Sequence, residues 1–142
     1  NKMATQFNTS ESSSLNSDYP KTMSMPNEYG FGGLEVHSII STDSTNLGFI
    51  KKGGGSIYAI NLHNKNTTTP AYLRIFDKAT APVDADIPLV TLTIPALGTL
   101  NMELSIGLTY KLGLGFNITT GAANGNTSAT AALDVVGGIL WK

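Results

Sequence analysis

The chain contains no cysteine among its 142 residues, which excludes disulfides, thiolate metal ligands and a cysteine nucleophile. Charge is also scarce. Asp, Glu, Lys and Arg together make up 13% of the chain, against the ~25% usual for a globular domain. Nine basic and ten acidic residues leave a net charge of −1, and the only adjacent cations are Lys51 and Lys52. Nucleic-acid binding draws on clustered cations that neutralise phosphates, so no nucleic-acid partner is expected. No apolar run approaches the ~20 residues of a membrane span, and the polar start shows no secretory leader, so no membrane partner is expected either. Long stretches of helical periodicity are missing too. A near-neutral chain has weak long-range self-repulsion, which eases the side-by-side packing of many copies.

What is present is strand periodicity. Tyr72–Lys78 is rich in β-branched and aromatic residues. Pro88–Ile94 sets Leu89, Thr91 and Thr93 against Val90, Leu92 and Ile94, a period of two with one face on a core and one toward solvent. Pro82 and Pro88 bracket an acidic loop, Pro95 stops the second strand, and Gly98 permits the turn back. Strands are predicted at 34–40, 46–52, 56–63, 71–78, 88–94, 99–104, 108–118 and 134–142. Gly53-Gly54-Gly55 is read as a hairpin turn, and Asn124-Gly125 as a turn within a longer loop. Residues 129–133 fit a short helix or a strand. Eight short strands with frequent turns imply an all-β fold: a single antiparallel β-sandwich, jelly-roll or Ig-like, over residues 34–142, preceded by an extended or flexible N-terminal arm over residues 1–33. Val36, Ile39, Phe49, Ile57, Ala59, Leu73, Ile75, Val90, Leu92, Ile94, Leu104, Leu114, Phe116, Val135, Ile139 and Trp141 are expected in or near the core.

The residues offer little chemistry. The two histidines, His37 and His63, lie in predicted strands, His37 on the face opposite Val36, and read as surface or satisfied side chains. There is no GxSxG elbow, HExxH, CxxC or EF-hand loop. Asp77, Asp84 and Asp86 could hold Ca²⁺ weakly but read better as solvated loop carboxylates, and no pair of acids is singled out for glycosidic chemistry. The triple glycine is followed by strand rather than by the helix a phosphate loop requires. The Asn-Xaa-Ser/Thr triplets at Asn8, Asn66, Asn117 and Asn126 are expected by chance in so Asn- and Thr-rich a chain. Tyr58, Tyr72, Tyr110 and Trp141 read as core or interface residues rather than sugar platforms. No catalytic residue, metal or cofactor is assigned, and the chain is read as a non-enzyme.

Residues 1–33 differ from the rest, being Ser/Asn-rich and broken by Pro20 and Pro26. Such a segment buries too little to order itself alone. It fits either a disordered tail or an arm lying on a neighbouring subunit. Phe7, Leu15, Tyr19, Met23, Met25, Tyr29 and Phe31 are the candidate partner-binding residues on the second reading, since a plain linker has little use for aromatics and methionines.

Ser56–Leu62 (SIYAINL), Ala71–Pro82 (AYLRIFDKATAP), Asp86–Leu89 (DIPL), Thr93–Thr99 (TIPALGT) and the late Asp134-Val135-Val136 together resemble a recurring type of small tailed-bacteriophage virion protein. The resemblance covers most of residues 34–142 and none of the arm. It implies a β-sandwich of the virion surface acting as a capsid decoration (cement) protein, or a tail or fibre component. It further implies the major capsid protein or another virion protein as partner, a homo-oligomer (a trimer by analogy with threefold positions), and a clamp that bridges adjacent shell subunits against the pressure of packaged DNA. The alternative is a tail- or fibre-associated module that binds carbohydrate or a host surface.

Overall fold

The computed structural model describes residues 33–142, and the candidate arm residues Phe7 to Phe31 lie outside them. Eight strands follow in chain order: β1 Glu35–Ile40, β2 Gly48–Lys52, β3 Gly55–Asn64, β4 Ala71–Asp77, β5 Val90–Ile94, β6 Thr99–Tyr110, β7 Gly113–Thr119 and β8 Val135–Trp141. They form two four-stranded sheets, β1-β8-β3-β6 and β2-β7-β4-β5, and every pairing is antiparallel. Only β4 and β5 are consecutive strands that pair, and every other connection crosses from one sheet to the other. That order is the double Greek key of a jelly roll. There is no helix among the described residues.

The core fills the space between the sheets. Ile57, Ile60 and Leu62 of β3, Leu73 and Ile75 of β4, Leu114 and Ile118 of β7, and Ile139 of β8 are fully enclosed. Val90, Leu92 and Trp141 pack against them at the rim. The alternation expected of residues 89–94 holds, with Thr91 and Thr93 exposed and Ile94 buried.

Several expectations need correction. Residues 99–110 are one strand, not two. The break expected near residue 106 is a bulge, where the register jumps from Ile57↔Leu108 to Ala59↔Glu103. Gly107, at φ 94°, supplies the left-handed backbone there, a conformation that is strained for a residue with a Cβ. The real turn is Lys111-Leu112. Gly53 and Gly54 make no hairpin, because β2 and β3 lie in different sheets. At the corner after β5 the positive φ belongs to Leu97. Gly98 is required for space instead, since a Cβ on it would lie 2.5 Å from the Pro95 ring. Residues 129–133 form neither helix nor strand: Thr130 makes an isolated bridge to Ser44 and a turn follows. Finally, Val36 and Phe49 are exposed. Val36 and Ile39 stand three apart in one strand and so face opposite ways. Ile39 takes the core and Val36 the solvent. Ala59 and Leu104 are only half-buried, Ala59 on the outer side of its sheet opposite Glu103 and Leu140.

Candidate functional site

The two outer faces of the sandwich are built differently. On the β2-β7-β4-β5 sheet, the outward positions of β4 and β7 are Arg74, Phe76, Gly113, Gly115, Asn117 and Thr119, all buried, and Tyr72, half-buried. The loops 78–89 and 120–134 cover them. Arg74, with no exposed surface at all, reaches upward to pin the second loop. Its Nη1 donates to Thr119 Oγ1 and its Nη2 to the carbonyls of Gly121 and Ala123, each at 2.6 Å. Burial lowers its pKa, while the charge of nearby Asp84 acts in the opposite sense. Asp84 ties the first loop down, accepting from Asn117 Nδ2 at 2.8 Å and from Thr45 Oγ1 at 3.2 Å. Asp86 closes the same loop on itself through Lys78 Nζ at 2.7 Å and the Val83 amide at 2.8 Å. Its carboxyl is held low first by the Lys78 bond and then by that amide.

The three loop-region aspartates therefore do separate jobs, contrary to the expectation of free, solvated carboxylates. Asp77 sits apart from the other two. It accepts the amides of Lys111, Leu112 and Gly113 at 2.9, 2.7 and 3.3 Å. Among the described residues no three His, Asp or Glu side chains come together as metal ligands.

Among the described residues, no loop covers the outer face of the β1-β8-β3-β6 sheet. The register aligns Val36, Leu140, Ala59 and Glu103 in one row and Ile40, Val136, His63 and Thr99 in another, with Ser38, Gly138, Asn61 and Asn101 between them. Val36 and Ile40 are 66% and 60% exposed. His63 bonds Thr99 across the strands through Nδ1 at 3.1 Å. Glu103 is the one acid in these rows, and no lysine or arginine stands in them. The bulge adds a hollow of about 500 Å³ beside Tyr58, Glu103, Ser105 and Leu140.

A second concavity of about 430 Å³ runs between the edge strands β1 and β2 over Ile39, Phe49 and Phe116. His37 borders it and packs edge-on against Phe116, with ring centroids 5.3 Å apart. It lies on the face opposite Val36, as expected, and that face is the inner one, where burial lowers its pKa. Asn46, the amide in this groove, is already spent on Thr42, Ser44 and Thr130. Neither concavity gathers a nucleophile, a base and an orienting acid. Tyr110 is buried, as expected of a core or interface residue, and its hydroxyl donates to the Lys142 carbonyl at 3.1 Å.

The sequence reading missed Arg74, Asn117 and Thr119 as structural pins. One signal was there: in Tyr72-Leu73-Arg74-Ile75-Phe76 the aromatics flank Arg74 on its own face, so both faces of the strand read apolar, as in a strand covered on both sides.

The chain matches no protein-family model, and neither the curated proteins nor the solved structures give a match.

Proposed function

We propose that this chain is a structural protein of a virion, binding the outer surface of a capsid and bridging adjacent shell subunits through the uncovered outer face of the β1-β8-β3-β6 sheet. The observation that carries this reading is the asymmetry of the sandwich. One outer face is covered over β4 and β7 by its own loops around a buried arginine, while on the other no described loop covers Val36, Ile40, Val136 and Leu140. An exposed apolar strip rimmed by short polar side chains suits a protein partner. Jelly rolls recur in capsid and lectin domains alike, so the fold by itself does not choose the function. The resemblance of residues 56–98 to tailed-phage virion proteins supports the capsid side. On this reading the segment 1–33 adds a second point of attachment, with Phe7, Leu15, Tyr19, Met23, Met25, Tyr29 and Phe31 entering pockets of the partner, and two attachments multiply affinity.

The test is binding to purified shells of a tailed phage. The full chain is expected to decorate them and to raise the temperature at which they rupture. Leu140→Asp, with its fold checked by an unchanged β-sheet spectrum, is expected to bind at least ~10-fold more weakly, as loss of one apolar anchor costs on the order of 1.4 kcal/mol or more. Deleting residues 1–33 is expected to weaken binding further. Equal decoration by the unaltered and Leu140→Asp chains would overturn the assignment of the face.

A carbohydrate-binding reading has one observation in its favour, the hollow in which Tyr58 lies near Glu103 and Ser105. Saccharide-specific binding that is lost in Tyr58→Ala would establish it.

A further inference from the structure

Four strands form the edges of the two sheets: β1 and β6 in one, β2 and β5 in the other. An open edge invites pairing with another chain, and proteins blunt it with charge, proline, bulges or short length. Three of these edges are blunted. β6 carries Glu103 and the large bulge. β2 has five residues, a register shift between Phe49 and Lys51, and two lysines. β5 also has five residues, set between Pro88 and Pro95. The fourth, β1, carries none of these devices from Val36 to Ile40. It has no lysine, no proline and no bulge.

The hydrogen-bonding groups of β1 that no other strand uses, among the described residues, can be identified. Ser41 donates its amide to the Val135 carbonyl at 2.8 Å. Lys142 and Ser56 exchange both bonds at 2.8 and 2.9 Å, so on β8 the even-numbered residues point to β3 and the odd-numbered ones to β1. Alternation along an antiparallel ladder then turns the N–H and C=O groups of Glu35, His37 and Ile39 toward β8. Those of Val36, Ser38 and Ile40 point outward from the sheet, the same three residues whose side chains stand on its uncovered face.

We infer that β1 pairs with β1 of a second copy, antiparallel about a two-fold axis at Ser38, joining the two sheets into one of eight strands. The strand is self-complementary in that register. Ser38 faces Ser38, and Val36 faces Ile40 twice, so all three outward-pointing residues of each copy exchange both hydrogen bonds. The apolar cross-strand pairs fall on the open face, where each adds to pairing. Glu35, the only charge on the strand, falls opposite Ser41, and no like charges meet. A net charge of −1 on the whole chain leaves little repulsion between copies. The interface is isologous and closes at two copies, unlike the threefold assembly that the family resemblance implies. It stands apart from the shell-binding reading, and its test needs no capsid.

That test uses the full chain and the absence of native cysteine. Across a hydrogen-bonded antiparallel pair the two Ser38 Cα atoms would lie ~5.5 Å apart, within disulfide reach. Sedimentation equilibrium is expected to give twice the chain mass. Ser38→Cys is expected to oxidise to a covalent dimer, while Ser105→Cys on the opposite edge does not. Val36→Lys is expected to sediment at the mass of one chain with an unchanged β-sheet spectrum. A monomer or trimer mass for the unaltered chain, or Ser38→Cys cross-linking no faster than Ser105→Cys, overturns the pairing; an edge filled by residues 1–32 or by an unrelated strand gives that second outcome.

Discussion

His37 shows how one side chain sets a pH dependence. Its ring faces the interior and meets Phe116 edge-on, and burial there lowers its pKa. The unfolded chain takes up the proton near pH ~6.5, and the folded chain takes it up only at lower pH. The unfolded state therefore binds more protons in that window, and stability falls as the pH drops through it. Urea midpoints are expected to fall between about pH 7.5 and about pH 5, with the fall reduced in His37→Phe; an equal fall in both proteins would place the titration elsewhere. The inward position of His37 was not legible in the sequence, and the reason is local. LEVHSII offers Val36 to one face and Ile39 to the other. Seven residues of period two cannot say which apolar side chain wins. The choice is made by the far sheet, which presents Phe116 to the His37 and Ile39 side.

At the scale of elements, Asp77 shows what joins the sheets. β6 and β7 lie in different sheets and are linked by Lys111 and Leu112 alone. Asp77, at the end of β4, accepts three successive amides at this corner, holding it against β4. Burial of its carboxyl alone would raise the pKa, but the bonds from Leu112, Lys111 and Gly113, with the charge of Lys111, outweigh it, and the net shift is downward. Its contribution is therefore complete above the ordinary carboxylate range near pH ~4 and is lost as the pH falls below it. Asp77→Ala strips the corner of its acceptor and is expected to cost at least ~1 kcal/mol at neutral pH, read from denaturant midpoints, and to flatten the acid limb of the stability profile. An unchanged acid limb would refute this role. The strands themselves were legible in outline, because alternation in residues 88–94 and turn residues at 53–55 and 64–70 mark eight segments. The connections were not legible. A two-residue link between sheets has no signature that separates it from a hairpin, and a bulge around Gly107 imitates a turn.

For the molecule as a whole, the decisive property is that it is layered on one side only. The cover over the β2-β7-β4-β5 sheet hangs on Arg74, whose three hydrogen bonds end on Thr119 and on the carbonyls of Gly121 and Ala123. Two buried polar atoms in the same layer, Arg74 Nε and Asn117 Oδ1, have no partner, and they belong to residues directly paired across β4 and β7. The layer is thus anchored but not fully satisfied, and one substitution should release it. Arg74→Met fills much of the volume and leaves the loop carbonyls without a donor, an expected loss of ~2 kcal/mol or more. Loop 120–134 should then become the first site of limited proteolysis, since local opening follows the loss of local bonds. The β1-β8-β3-β6 face lies on the far side of the core, with no contact to Arg74, so shell binding and β1 pairing should survive at temperatures where the variant is still folded. Leu140→Asp should show the converse, near-native stability with impaired binding. Effects at separate sites are additive, so the double variant should show both defects at their single-variant size. Loss of shell binding in Arg74→Met alone, with the body still folded, would mean that the covered face, not the open one, meets the partner.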